Sequence, residues 1–435
     1  MKFVSLMLNL VEYLLAIFII LEFNTPYAYS LNRSYYLTEI IIILILIYFF
    51  IVATKFKIKR SIMKRWLVVF TPYYVILLIY IFIKVKPEKI INFSTRFLLV
   101  IPILSLTFGI YNKKDEVFRI LNKISKVIFC LSIISLFFWW YGSQLHLISP
   151  TGTINSYWGR EFSYPSYYGL YFERQMDKFL WIDGFRNIGI FCEGPMFSLC
   201  LIFSLFTELF LHKDTNKKII YKFNSNKYLI INENIFMRYI RIIVFIITLF
   251  TTTTITGIII FIIMAIVKYL ITSKKNNIRI LIKLLISIVM FFLGIYIIYA
   301  LFISKSQSNS WIIRMEDFSI GMKAWLQSPL FGNGYADWSS LENLMNNSIR
   351  TNTGFSNSIF TVLSQGGIVL FLVYVVPIMT CFMYGIKKND KGILIFSMIF
   401  FIEFIVTLFQ YTFLMMILLS FGYSFIITNK NIKYK

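Results

Sequence analysis

Charge is scarce in this chain, and acidic charge is scarcer still. Only 14% of the 435 residues are charged, and just 20 are Asp or Glu. With 58% hydrophobic residues, a soluble fold would have more apolar surface than it could hide. The connections between apolar runs hold neither an acidic metal cluster nor a glycine-rich phosphate loop, which argues against nucleotide-driven chemistry there. Histidine is reduced to His146 and His212. Both lie just beyond the ends of apolar runs, on opposite sides of the expected membrane. Neither has a ligand partner nearby, so the sequence offers no zinc site. The four cysteines, Cys130, Cys192, Cys200 and Cys381, fall in or beside apolar runs. Their spacing fits neither a metal site nor a disulfide framework.

What the chain does have is apolar runs near 20 residues, the length that crosses ~30 Å of hydrocarbon. They predict an all-α integral membrane protein, a single polytopic domain over residues 1–435. We read about 12 spans: 3–21, 37–53, 66–84, 97–111, 127–141, 187–211, 239–252, 255–272, 284–303, 366–385, 393–410 and 411–428. The first lacks a basic leader beyond Lys2 and a small-residue cleavage site, so it reads as a retained span and not a signal peptide. The net charge of +23 resembles a nucleic-acid signal, but its distribution says otherwise. Alternate connections, starting with the N-terminus, carry 30 of the 43 Lys and Arg. Two of the remaining connections are the longest in the chain. That is the positive-inside bias, with both termini cytoplasmic and the charge facing anionic membrane lipid. It predicts a multi-pass protein of the cytoplasmic (inner) membrane, and no nucleic-acid partner.

This topology leaves two large extracytoplasmic loops, about 142–186 and 304–365. The first holds eleven aromatics in 45 residues, Trp181 among them. Aromatic faces can stack on sugar rings, with carboxylates such as Glu161, Glu173, Asp177 and Asp183 for hydroxyls; an interfacial aromatic belt would give the same composition. In the second, Trp311, Met315, Phe318, Met322 and Trp325 recur at spacings of four and three. This is the apolar stripe of a surface helix, with Arg314 and Asp317 on another face, either turned to a cavity or paired with each other. Ser328-Pro329 stops the helix, and Gly332-Asn333-Gly334 turns the chain.

The first loop re-enters the membrane at Arg186, with Gly189, Phe191 and Glu193 following. A continuous helix from Arg186 would carry Glu193 two turns further down on the same side. An arginine beside an apolar bundle is costly unless an anion or carboxylate meets it. A glutamate there is either functional or a structural partner for a nearby arginine. Glu12, Glu39, Glu208 and Glu403 have no such basic neighbour in sequence and rank as structural. Thr251–Thr254, ahead of Gly257, form a tight turn whose hydroxyls can satisfy freed backbone groups.

These regions resemble the O-antigen polymerase and O-antigen ligase superfamily (the Wzy and WaaL types). Arg186, Gly189, Phe191 and Glu193 match its arginine-glycine-phenylalanine-glutamate pattern. Arg314, Trp325, Pro329, Gly332 and Gly334 match the later arginine, tryptophan and proline-glycine-glycine turn. Ser356-Asn357, Gly366-Gly367 and the threonine-rich turn also fit. Two departures stand out. No histidine lies between residues 213 and 435, where the ligase branch has its candidate base, and this favours the polymerase branch. Gly194-Pro195 follows Glu193 where the family more often has proline directly.

The resemblance implies a substrate, polyprenyl-pyrophosphate-linked oligosaccharide repeat units presented on the outer face and polymerised there by glycosyl transfer. The residues suit that substrate on their own chemistry: Arg186 and Arg314 as bidentate pyrophosphate ligands and Glu193 as the candidate base. Arg160 and Arg350 are candidates for either sugar or phosphate, and Asn357, Tyr335 and Trp181 are further substrate-binding candidates. No metal or cofactor is implied. A flippase and a chain-length regulator are the expected partners. A ligase-like glycan transferase and a repeat-unit transporter remain as alternatives. The transporter is disfavoured by its need for charges near midplane and by the lack of paired half-repeats.

Overall fold

The computed structural model describes residues 2–30, 36–111, 117–179, 182–211, 219–224, 227–231, 233–271, 309–345 and 355–428. The expected span 284–303 lies outside them, as do Trp181 and Arg350.

Apolar sequence in a bilayer folds as helix, because only a helix pairs its own backbone groups there. Seven helices are long and apolar enough to cross a membrane: α1 (Lys2–Glu22), α2 (Leu37–Phe56), α3 (Arg60–Lys84), α4 (Pro87–Ile110), α5 (Arg119–Gln144), α6 (Gly194–Leu211) and α10 (Ser358–Lys387). Two shorter apolar helices are α8 (Ile255–Ile271) and α12 (Phe413–Thr428). Expected spans also coincide with α7 (Glu233–Thr251) and α11 (Lys391–Val406). The helix expected in the second loop is α9 (Asn309–Gln327). The chain is thus a multi-pass membrane protein of predominantly helical fold.

The first loop corrects the all-α expectation. It contains strands β1 (Gly152–Tyr157), β2 (Glu161–Tyr167), β3 (Tyr171–Phe172), β4 (Met176–Phe179) and β5 (Ile182–Phe185). β2 pairs with β3 and β4 with β5, both antiparallel. The reason lies in the local pattern. Polar and aromatic residues alternate over residues 161–164, exposing Glu161 and Ser163 and burying Tyr164, a period of two. Strands β6 (Ile219–Asn224) and β7 (Lys227–Ile231) form a further hairpin.

The chain divides into two compact units. One comprises residues 1–120, 154–163 and 297–435; the other comprises 121–153 and 164–296. In the first unit α12 is buried along almost its entire length and packs on α4, α10, α3 and α1. Such a helix is hydrophobic all round because every side meets another helix. Gly422 permits the close crossing on α10, since a Cβ there would lie 2.4 Å from Pro377. In the second unit α6 packs on α7 and α8. A Cβ on Gly257 would overlap the Ser198 hydroxyl, which explains the glycine that ends the threonine-rich turn.

Candidate functional site

In the second unit, the candidate residues gather at the start of α6. The helix does not begin at Arg186. It begins at Gly194, with Glu193 as its N-cap residue in extended backbone (φ −151°). Between them Gly189 takes φ +59° and closes a turn, with the Phe191 amide donating to the Ile188 carbonyl at 3.1 Å. This overturns the expectation that Glu193 sits two helical turns below Arg186. A left-handed glycine interrupts helix geometry, and Pro195 in the first turn is where a helix starts.

Arg186 is held by the threonine-rich turn. Its Nε donates to the Thr252 carbonyl at 3.0 Å and its Nη2 to Thr254 Oγ1 at 3.2 Å. Asp177 approaches Nε at 4.0 Å and accepts from the Thr253 hydroxyl at 3.0 Å. The neighbouring Asn187 is fully buried and donates to Thr251 Oγ1 and Ser135 Oγ. Gly194 makes room for the guanidinium, since a Cβ there would stand 2.8 Å from Arg186 Nη2. The hydroxyl-rich turn therefore orients an arginine against the N-terminus of α6, an end that carries partial positive charge of its own.

A second arginine, missed at the sequence level, stands beside Glu193. Arg174 lies between β3 and β4. Its Nη1 donates to Tyr164 OH at 2.5 Å and to the Cys192 carbonyl at 3.2 Å, and its guanidinium lies 5.2 Å from the centroid of the Tyr164 ring. Burial pushes the Tyr164 phenol well above the usual tyrosine range, and nearby Cys192 and Glu193 add to the effect while Arg174 opposes it. Burial likewise pushes the Cys192 thiol up. The half-buried Glu193 carboxylate makes no hydrogen bond or ion pair among the described residues. Its reading as a structural ion-pair partner therefore finds no support in the geometry. The only local signal for Arg174 was that Glu173-Arg174-Gln175 forms a polar island in an aromatic stretch.

In the first unit, Arg314 and Asp317 lie on the inward side of α9, where Asp317, Ile320 and Ala324 are buried while Met315, Met322 and Leu326 are exposed. Asp317 Oδ2 accepts from the Ser356 amide at 2.9 Å and from its hydroxyl at 2.5 Å. Arg314 is within electrostatic reach of Glu403 on α11, whose Oε2 accepts from Thr407 Oγ1 at 2.8 Å. Asn357 is buried as the N-cap of α10, where Oδ1 accepts from the Phe360 amide and Nδ2 has no partner among the described residues. Tyr335, expected to face substrate, is buried instead. Its hydroxyl donates to Asn92 Oδ1 at 2.9 Å, and its ring packs edge-on against Phe93 and Tyr411. Its position follows from the glycine turn before it, which folds the chain inward. Arg160 is exposed and stacks over Phe162 at 4.6 Å.

Two of the carboxylates ranked as structural find arginines far along the chain. Glu12 meets Arg119 at 2.7 Å, and Glu208 meets Arg241 through both oxygens at 2.8 and 2.9 Å. Such pairs satisfy charges that an apolar bundle could not otherwise hold.

No curated protein matches the chain. Residues 240–375, which contain the threonine-rich turn, Arg314, the Pro329–Gly334 turn and Gly366-Gly367, match the Wzy_C family model, described as O-antigen ligase, and this match supports placing the chain in the O-antigen ligase and polymerase superfamily.

Proposed function

We propose that the chain polymerises polyprenyl-pyrophosphate-linked oligosaccharide repeat units on the outer face of the cytoplasmic membrane, by metal-independent glycosyl transfer. The observation that carries this reading is the arrangement at the start of α6. An arginine oriented by Thr252 and Thr254 and a carboxylate without an ion pair among the described residues flank one helix N-terminus. In the reaction, a hydroxyl oxygen of the acceptor sugar attacks the anomeric carbon of the donor. The carbon–oxygen bond to pyrophosphate breaks, and its electron pair leaves with the lipid pyrophosphate. The hydroxyl proton passes to the Glu193 carboxylate. Arg186 meets phosphate oxygens as a planar fork, which favours the leaving group; one well-placed donor of this kind is worth ~3 kcal/mol in a transition state. Arg314 is a further candidate for phosphate, Arg160 and Arg350 for sugar or phosphate, and Trp181 for the glycan. Asn357, with its unpartnered Nδ2, remains a candidate donor to substrate, whereas Tyr335 serves by holding the turn. The lipid-linked glycan, a flippase and a chain-length regulator are the partners this role requires.

A ligase-like glycan transferase is the second reading, because the matching family model is described as O-antigen ligase. The lack of histidine between residues 213 and 435 weighs against it. Arg186→Ala separates function from fold. In cells making the cognate glycan, we expect single repeat units and no ladder of longer chains, at normal protein level. Arg186→Lys, which keeps the charge but not the fork, should be impaired as well. A full-length ladder from the alanine variant would refute the assignment. Transfer of preformed polymer to a lipid acceptor by the wild-type chain would favour the ligase.

A further inference from the structure

Arg174 lies 19 residues before Glu193 in sequence and belongs to no motif read there, yet the fold brings it to the peptide that carries that carboxylate. It reaches this place by backbone pairing. The Glu173 amide donates to the Pro165 carbonyl of β2 at 3.0 Å, and the Phe172 amide donates to the Gly189 carbonyl at 2.9 Å. Gln175, at φ +62°, turns the chain away; its carbonyl accepts from the Arg186 amide at 3.0 Å, and its Oε1 faces the Gly194 amide at 3.5 Å. Residues 172–175 are thus tied to both flanks of the Gly189–Gly194 segment. Arg174 Nη1 then bridges Tyr164 OH and the Cys192 carbonyl, the acceptor one peptide ahead of Glu193. Tyr164 is fully buried, so its hydroxyl is a fixed anchor for the guanidinium.

A carboxylate on a mobile, extended N-cap would sample many positions. One whose preceding carbonyl is clamped by a charged donor is held in place. We propose that Arg174 is a positioning residue for Glu193, clamping the Cys192 carbonyl against the Tyr164 anchor so that the Glu193 carboxylate stands where the acceptor hydroxyl loses its proton. This rests on the reading of Glu193 as the base. The charged and titratable groups around Glu193 are Arg174, Tyr164 and Cys192 and, across Gly194, Arg186 with Asp177. Of these, Arg174 touches both the preceding peptide and a buried anchor. Arg186 is oriented by the threonine turn, through Nε and Nη2.

The test uses the full chain in native membrane vesicles. The probe is the lipid-linked oligosaccharide that accumulates in host cells lacking the chain. Arg174→Ala should lower kcat at least tenfold and leave KM within about twofold, because a group that acts through the base is felt in the chemical step. Tyr164→Phe, which removes the anchor hydroxyl and little volume, should lower kcat in the same sense but less. Arg174→Lys should restore part of the loss. Placed on Glu193→Gln, Arg174→Ala should cost nothing further, since two residues acting as one unit are not additive. A raised KM with unchanged kcat would show that Arg174 holds substrate phosphate and overturn the proposal. So would an undiminished loss in the Glu193→Gln background. If Arg174→Ala does not accumulate, Tyr164→Phe alone and combined with Glu193→Gln decides by the same two criteria. Wild-type activity in Glu193→Gln itself would fail the reading of the base, which is a different outcome.

Discussion

Asp337 shows how a single side chain holds the turn that follows α9. Its Oδ2 meets Lys86 Nζ at 2.9 Å, and its Oδ1 accepts from the Ser339 amide and hydroxyl at 3.1 and 2.8 Å. Partial burial alone would raise its carboxyl, but the bonds from Lys86 and Ser339 outweigh it and lower the group to about 2. The folded value lies below the unfolded one, so the carboxylate's contribution is complete above the ordinary range near pH ~4 and is lost as pH falls through about 2. Asp337→Asn should therefore lower stability at neutral pH, where the contribution is complete, change little near pH 2, and flatten the acid limb between those limits. Thermal unfolding of the purified chain across pH 2–7 checks this, and an unchanged acid limb would remove Asp337 as its source. Legibility at this scale was uneven. Arg186, Arg314 and Glu193 could be read because each stands beside an apolar run, where charge is conspicuous. The partners could not be read, because Thr252 lies 66 residues from Arg186 and Arg119 lies 107 from Glu12. Tyr335 was misread because an aromatic after a glycine turn can point into the bundle as readily as out of it.

Among the elements, α10 and the turn before it form one device. The helix breaks at Gly367, which takes φ +60° and ψ −164°. The broken end leaves amides without intrahelical partners, and the preceding turn supplies them. The Ile368 amide donates to the Pro329 carbonyl at 2.9 Å and Val369 to Leu330 at 3.1 Å. In return the Asn333 and Gly334 amides donate to the Ser364 and Gln365 carbonyls. The Gln365 carbonyl also accepts from Tyr80 OH. The two backbones touch, so both sides need glycine. A Cβ on Gly367 would lie 2.3 Å from the Leu330 carbonyl oxygen, and one on Gly332 would lie 2.4 Å from Gln365. The sequence displays both glycine pairs and the proline. Their contact was not legible, because periodicity speaks only of neighbours along one element. Gly367→Ala should cost about 1–3 kcal/mol from the left-handed backbone alone, with the overlap adding to it. Gly152→Ala, where a Cβ meets nothing within 4 Å, should stay within about 0.5 kcal/mol of wild type. Melting of both variants in detergent tests the pair, and equal midpoints would mean that the junction yields without strain.

At the level of the whole molecule, the alternation of Lys and Arg predicts the direction of the spans, and one bonded network ties together places that this count assigns to a single side. In the first unit, Arg96 donates to the Tyr411 carbonyl at 2.6 Å, to Asn92 and to Glu22 Oε1 at 3.4 Å, and Glu22 Oε2 accepts from the Phe413 amide at 3.1 Å. Tyr335 joins through Asn92, and Tyr411 OH donates to Gln365 at 2.7 Å. Glu22 ends α1, Asn92 and Arg96 lie in the first part of α4, Tyr335 follows α9, and Tyr411 separates α11 from α12. The charge count assigns each of these places to the outer side. Residues 142–186 and 304–365 are therefore expected outside. Cysteines placed at Ser163, an exposed position on β2, and at Ser308, each in a background with the four native cysteines replaced, should react with a membrane-impermeant thiol reagent in intact spheroplasts. A cysteine at Ser61, exposed in the basic first turn of α3, should react only after the membrane is opened. If the first two are protected until lysis and the third reacts at once, the orientation is inverted, and Arg186, Arg314 and Glu193 would face the cytoplasm, where no lipid-linked glycan presented on the outer face could reach them.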